Sequence, residues 1–133
     1  MIEKLKENLK NSYAPYSNFH VSAILKTRDD KEYKGVNIEN ASFGATICAE
    51  RVAITKALSE GENPKNFKEI HIMCDSEDKG MPCFLCRQVF VEFFEKDVKI
   101  FVYNSKGEQS VFTLEEVCPY PFSKEDIKWK ADL

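Results

Sequence analysis

From Tyr33 onward the apolar pattern of this chain switches repeatedly between the period of a strand and the period of a helix. YKGVNIE (33–39) and FKEIHIMCD (67–75) read as strands, as does DVKIFVYN (97–104). CAERVAITKALSE (48–60) and PCFLCRQVFVEFFEK (82–96) read as the helices between them, with Gly61 stopping the first and Pro82 suited to the first turn of the second. A strand, helix, strand, helix, strand order implies right-handed crossovers, parallel pairing and helices covering the sheet, which is the α/β class. Upstream, FHVSAILKT alternates as a strand and the polar RDDKE turns it back into YKGVNIE, so the first two strands form an antiparallel hairpin. Ahead of them, residues 2–12 place Ile2, Leu5 and Leu9 on one face of a short helix that Ala14-Pro15 ends. A fifth strand is expected near QSVFT after the turn Ser105–Glu108, then a short helical TLEEV, the proline-rich CPYPF and a last turn in SKEDIKWK.

With 133 residues there is room for one domain, 1–133, and its core. The formal charge of −3, from 19 basic and 22 acidic residues, provides no general basic surface for a phosphate backbone, so a nucleic-acid partner is not expected. The polar start MIEKLKENLKNSYAPYS lacks the apolar centre of a secretory signal, and no later stretch approaches the roughly 20 apolar residues of a membrane span. A soluble, cytoplasmic protein without a membrane partner is the expectation. The five cysteines, an odd number spread over positions 48, 74, 83, 86 and 118, do not read as a secreted disulfide scaffold, which turns attention to metal binding or catalysis.

Cys83 and Cys86 stand three apart at a helix start, where both sulfurs can aim at one point and the helix dipole favours thiolates. Taken alone, that geometry serves a metal or a redox disulfide equally well, with plain buried thiols as the bland alternative. Cys48 opens a second helix, and Glu50 lies two residues on, placed to reach a group bound at Cys48 without being a ligand. Three thiolates would leave one open position on tetrahedral zinc, the arrangement of a catalytic site and not a closed structural one. Zinc lowers the pKa of a bound water toward neutrality, and an adjacent carboxylate such as Glu50 can take that proton and pass it to a leaving group. An isolated first-turn glutamate is usually a solvated group favoured by the macrodipole; the neighbouring cysteines argue for the catalytic role. Arg51 could donate to the sulfurs and drain their negative charge, as lysine would do less well.

Cys48-Ala49-Glu50 with Pro82-Cys83-x-x-Cys86 resembles the zinc nucleoside-deaminase signature in its three-cysteine form. YAPYSNF (13–19), GVNIENASFG (35–44), CAERVA (48–53) and CRQV (86–89) extend the likeness to the short, homotetrameric cytidine deaminases over nearly the whole chain. That resemblance implies a three-layer α/β/α sandwich with a five-stranded mixed sheet, and one zinc ion per subunit on Cys48, Cys83 and Cys86. It implies hydrolytic removal of ammonia from C4 of cytidine and 2′-deoxycytidine in pyrimidine salvage, with Glu50 moving protons to the ring nitrogen and the departing amine. By the same resemblance Asn37 and Glu39 contact the ribose, Phe19 lies beside the base, and the backbone of Ala49 reads the pyrimidine edge. Ala41, Phe43 and Phe122 would reach a neighbouring subunit's active site in a homotetramer, and Gln88 would support the metal site.

Without the motif, Phe19 reads as core, Asn37 as a turn residue, Gln88 as a surface amide and the PYPF tail as a packed terminus. Two positions depart from the family pattern: Phe84 stands where glycine is usual after the first cysteine of the pair, and Phe43 where tyrosine is common. Cys74 and Cys118 match no ligand position and are expected as buried thiols. His20 and His71 are expected as packed or surface imidazoles. Three rival readings are a relative acting on another aminated heterocycle, such as a nucleoside antibiotic related to cytidine, a zinc-stabilised binding protein without catalysis, and a thiol-disulfide oxidoreductase built on Cys83 and Cys86.

Overall fold

The computed structural model describes residues 1–127. Its elements in chain order are α1 (Ile2–Leu9), β1 (Val21–Thr27), β2 (Glu32–Val36), α2 (Ala49–Ser59), β3 (Phe67–Cys74), α3 (Phe84–Phe93), β4 (Lys99–Tyr103), β5 (Gln109–Thr113) and α4 (Leu114–Val117). The expected final turn survives as a short 3₁₀ segment over 124–127, and residues 128–130 of SKEDIKWK lie outside the described residues.

The five strands form one mixed sheet in the order β2-β1-β3-β4-β5. The β1–β2 hairpin is antiparallel as expected, with Ala23 opposite Gly35, and β3 pairs antiparallel with the other edge of β1. Parallel pairing is confined to β3 and β4, where Ile72 faces Val102; β5 then returns antiparallel. The reason lies in the hairpin. Because β2 occupies one side of β1, the crossover through α2 must pass over β1 before β3 finds a free edge, so β2 and β3 run the same way without touching.

Alternation along the strands sorts side chains into two cores. Ala23 and Leu25 of β1, Ile70 and Ile72 of β3, and Ile100 and Val102 of β4 pack on one face with Ala53, Ile54 and Phe90 of α2 and α3. Ile24, Met73 and Tyr103 point the other way and are covered by Leu5 of α1. The result is helix, sheet, helix, the expected three-layer α/β/α arrangement.

Two local features place α2. Ala49, Ala53 and Ala57, spaced by four and fully buried, give α2 a small-residue face toward the sheet. Gly35 lies beneath it: a β-carbon there would stand 2.4 Å from the Ala49 carbonyl oxygen and 2.5 Å from the Ala53 nitrogen. The N-terminal turn of α2 is therefore pressed against β2 by the absence of a side chain.

Several boundaries differ from the sequence pattern. YKGVNIE leaves the ladder after Val36, because the Asn37 side chain and not its backbone accepts from Val21 N, at 2.9 Å. Ile38 then makes only isolated bridges to Tyr13 and Ile47. The first helix closes at Leu9 instead of Ser12, with a turn through Lys10–Ser12. Pro82 stands just outside α3, whose N-cap is Cys83.

Candidate active site

The first turns of α2 and α3 converge, and each is opened by a cysteine. Cys48 is the N-cap of α2 and Cys83 the N-cap of α3, while Cys86 sits one turn into α3. Cys48 Sγ lies 3.7 Å from Cys83 Sγ, which lies 3.5 Å from Cys86 Sγ, and all three sulfurs fall within 4.8 Å of one another. These three form the one convergent group of potential metal ligands among the described residues.

The spacing matches a metal better than a disulfide. A tetrahedral ion with bonds of about 2.3 Å to sulfur places its ligands about 3.8 Å apart, close to what is observed, whereas a disulfide needs about 2.05 Å. All five cysteines are free. The protonation pattern agrees: a hydrogen bond from Cys86, helped by Arg51, pushes the Cys48 thiol down to about 5. The same bond, burial and the nearby charge of Glu50 push the Cys86 thiol up. The lowered Cys48 thiol and the raised Cys86 thiol thus favour one proton shared between them, and a cation held there would let both ionise. The residues fit zinc.

Glu50 is 4% exposed, in the first turn of α2 beside this cluster. Burial raises its carboxyl to about 7, assisted by the charge on Cys48. A carboxyl poised near neutral pH can both take and return a proton. Arg51 points its Nη2 at Cys48 Sγ, at 3.5 Å, and its Nε is buried without a hydrogen-bond partner among the described residues. Its guanidinium faces the sulfurs of both Cys48 and Cys86, so positive charge borders the thiolates without entering the cluster.

Around this centre lie the other residues singled out in the sequence. Asn37 is buried; its Oδ1 accepts from Val21 N and Ser12 Oγ, and its Nδ2 donates to Phe19 O at 2.7 Å. Glu39 Oε1 accepts from the backbone of Tyr16 and Ser17 at 3.0 and 3.1 Å, and Oε2 accepts from Ser17 Oγ. Those hydrogen bonds, led by the Ser17 hydroxyl, hold the Glu39 carboxyl below its ordinary range. Phe19 is 41% exposed and is not core, while Ala49 is fully enclosed. Phe43 is exposed, meets Tyr16 edge-on at 6.2 Å, and rims a cavity of about 320 Å³ with Ser17, Glu39 and Thr46. Ala41 lies on the same exposed segment. Phe122 is also exposed, and its carbonyl accepts from Gln88 Nε2 at 2.8 Å, so the Gln88 amide holds the tail.

Phe84 neither crowds the sulfurs nor strains the chain. It occupies the first position of α3 in ordinary helical geometry and is 74% exposed, with the Arg87 guanidinium 4.4 Å from its ring centre. Cys74 is buried and donates to Asp78 O, Cys118 is half-buried at the end of α4, and neither joins the cluster. His20 and His71 also stay outside it.

Three residues of the site were not legible as such. Ser17 connects Glu39 to the backbone of Phe19, a role that a serine two residues before an aromatic only hints at. Arg87 braces the approach to Cys83 by donating to Pro82 O and Val117 O, both at 2.8 Å. Gly35 sets the height of α2 through a contact that no local pattern encodes.

Comparison with known proteins places this arrangement. Residues 1–102 match the family described as "Cytidine and deoxycytidylate deaminase zinc-binding region". The chain is 38% identical over 132 residues to the cytidine deaminase of Sporosarcina psychrophila, covering 99% of this chain and 96% of that one. It is 38% identical over 127 residues to the cytidine deaminase of Halalkalibacterium halodurans, covering 96% and 95%. The crystal structure of cytidine deaminase from Burkholderia pseudomallei superposes with a TM-score of 0.86 at 38% identity, over 91% of this chain and 95% of that one. This chain therefore belongs to the cytidine and deoxycytidylate deaminase family, hydrolases that act on a C–N bond.

Proposed function

We propose that the chain, as a single domain over 1–133, is a zinc-dependent cytidine deaminase that converts cytidine and 2′-deoxycytidine to uridine and 2′-deoxyuridine with release of ammonia. The observation that carries this reading is the convergence of three cysteine sulfurs beside a buried carboxyl whose pKa lies near 7. Cys48, Cys83 and Cys86 would hold one zinc ion per subunit. When bound there, zinc supplies a Lewis acid that makes water nucleophilic at neutral pH.

The protein's own groups divide the remaining work. Glu50 accepts one proton from the attacking water and delivers it to the pyrimidine ring nitrogen, then takes the second proton from the hydroxyl added at C4 and delivers it to the amine, which leaves as ammonia while C4 becomes a carbonyl. Arg51 withdraws charge from the sulfurs, so that three thiolates do not quench the electrophile they carry. The backbone of Ala49 faces the pyrimidine edge and Phe19 lies along the base. Asn37 and Glu39 address the sugar hydroxyls, and the ionised Glu39 disfavours a phosphate nearby, consistent with a nucleoside substrate.

In this reading the active protein is a homotetramer in which Ala41 and Phe43 of one subunit, and Phe122 of another, close a neighbour's pocket. The exposure of Phe43 and Phe122 in the single chain supports that assignment. Its place is the cytoplasm, in pyrimidine salvage, with no nucleic-acid or membrane partner. No helix among the described residues is long and apolar enough to cross a membrane.

The reading is tested by incubating the purified protein with cytidine and with 2′-deoxycytidine, following the ultraviolet change and the ammonia released. Uridine and 2′-deoxyuridine should form with one ammonia each. Absence of turnover on both at saturating zinc would overturn it.

A further inference from the structure

We propose that Ser17 is a positioning residue that locks the base-facing Phe19 to the sugar-facing pair Asn37 and Glu39, so that the two halves of nucleoside recognition form one mechanical unit. This rests on the reading of those three residues given above. The geometry is a pair of hydrogen-bonded arms that meet on the backbone of Phe19. Phe19 N donates to Ser17 Oγ at 3.0 Å, and the Ser17 hydroxyl in turn donates to Glu39 Oε2. At the other end of the same residue, Phe19 O accepts from Asn37 Nδ2 at 2.7 Å. Both backbone polar groups of Phe19 are therefore gripped, one through Ser17 by Glu39 and the other directly by Asn37.

The grip matters because packing covers this aromatic only in part, its ring tip lying against Gly80. Phe19 is 41% exposed, and the residue before it, Asn18, has φ of 56°, a left-handed kink that asparagine tolerates but does not impose. Elsewhere in segment 16–19 Asn18 N donates to Ala14 O at 3.0 Å and Tyr16 meets Phe43 edge-on, while the backbone of Phe19 itself is held through Ser17 and Asn37. Glu39 also accepts from Tyr16 N and Ser17 N, so one carboxylate organises the whole turn.

A count of remaining capacity shows that the latch and a sugar contact are compatible. The Glu39 carboxylate takes three donors, leaving room for one more on a group with about four acceptor sites. Asn37 uses one Nδ2 hydrogen on Phe19 O and both Oδ1 acceptor sites on Val21 N and Ser12 Oγ, which leaves a single donor. A sugar hydroxyl engaged by this pair thus touches groups already holding Phe19. Removing the Ser17 hydroxyl should loosen the ring even when the substrate lacks the 2′- and 3′-hydroxyls.

That consequence separates the latch from ordinary sugar recognition. In zinc-loaded Ser17→Ala, KM for cytidine and KM for 2′,3′-dideoxycytidine, or its Ki as a competitive inhibitor, should rise by the same factor of about tenfold. Zinc content, melting temperature and kcat for cytidine should stay close to wild type, and Ser17→Thr, which keeps a hydroxyl, should recover most of the loss. Without substrate, amide exchange over residues 16–19 should accelerate about tenfold in Ser17→Ala. Unchanged exchange over that segment would overturn the latch whatever the kinetics show. A loss confined to cytidine would overturn it too, by assigning Ser17 to the sugar alone. If the wild-type protein turned over no cytidine, the proposed function would fail, while the exchange measurement would still decide the latch.

Discussion

Glu50 and Arg51 are neighbours in sequence that act on the same cluster with opposite charge. Glu50 is enclosed and held near neutral pKa by burial, while Arg51 places its guanidinium 3.5 Å from the Cys48 sulfur. If Arg51 drains charge from the thiolates, Arg51→Ala should lower kcat on cytidine by about 10- to 100-fold with zinc still bound, and Arg51→Lys should fall between. Steady-state rates with metal analysis check this, and an unchanged kcat would mean the guanidinium is only packed there. His71 shows the other use of a buried titratable group. It is 5% exposed, stacked on Phe101 at 4.4 Å, with Nδ1 2.8 Å from Tyr103 OH and Nε2 3.1 Å from Glu69 Oε1. Burial depresses its pKa, Lys26 and the N-terminal ammonium act the same way, and Glu69 opposes them. The folded state therefore resists the proton that the unfolded chain accepts below about pH 6.5. The stability contributed by neutral His71 is complete above that pH and is lost as pH falls through the depressed folded value. Chemical denaturation from pH 7 to 5 should show wild type losing more stability than His71→Gln. Glu50, whose raised pKa works in the opposite direction, cancels in that difference. Parallel curves for the two proteins would assign the acid response elsewhere.

At the scale of elements, the site depends on how closely α2 approaches β2. Gly35→Ala would drive a methyl into the Ala49 carbonyl and the Ala53 nitrogen, backbone atoms that cannot rotate away. The expected cost is about 1–3 kcal/mol of stability, together with a fall in kcat as the turn bearing Glu50 shifts. Denaturant titration and cytidine turnover measure the two effects, and a variant as stable and active as wild type would contradict the close contact. The helices that carry the chemistry were legible because their signals are local: the helical period of 48–60 with Gly61 behind it, the apolar helical run that follows Pro82, and a cysteine at each start. Strand pairing was less so. The βαβα pattern predicts parallel neighbours, but nothing in YKGVNIE or FKEIHIMCD says that β1 will stand between them. The end of β2 was hidden for a related reason, since the Asn37 side chain takes over the acceptor role of a strand backbone. Ser17 and Arg87 escaped because their partners lie 22 and 30 residues away, at Glu39 and Val117.

For the molecule as a whole, the surface around the site is apolar to a degree that one chain does not explain. Tyr13, Tyr16, Phe43, Phe84, Leu85, Tyr120 and Phe122 are all more than half exposed. Aromatic residues in that number fit subunit contacts, and Phe84, free of the sulfur cluster, becomes a candidate contact. Light scattering on the purified protein should return a mass of about 61 kDa, four chains of 15.3 kDa, and an active species of one chain would contradict pockets closed by neighbours. If a three-thiolate metal site and the buried Glu50 together deaminate cytidine, kcat for cytidine should separate Glu50→Gln from wild type when both carry equal zinc. The amide keeps the size of the side chain but cannot shuttle a proton, so kcat should fall by about 10²- to 10⁴-fold while zinc content and folding remain. Turnover at the wild-type rate in the zinc-loaded variant would remove Glu50 from the proton transfer.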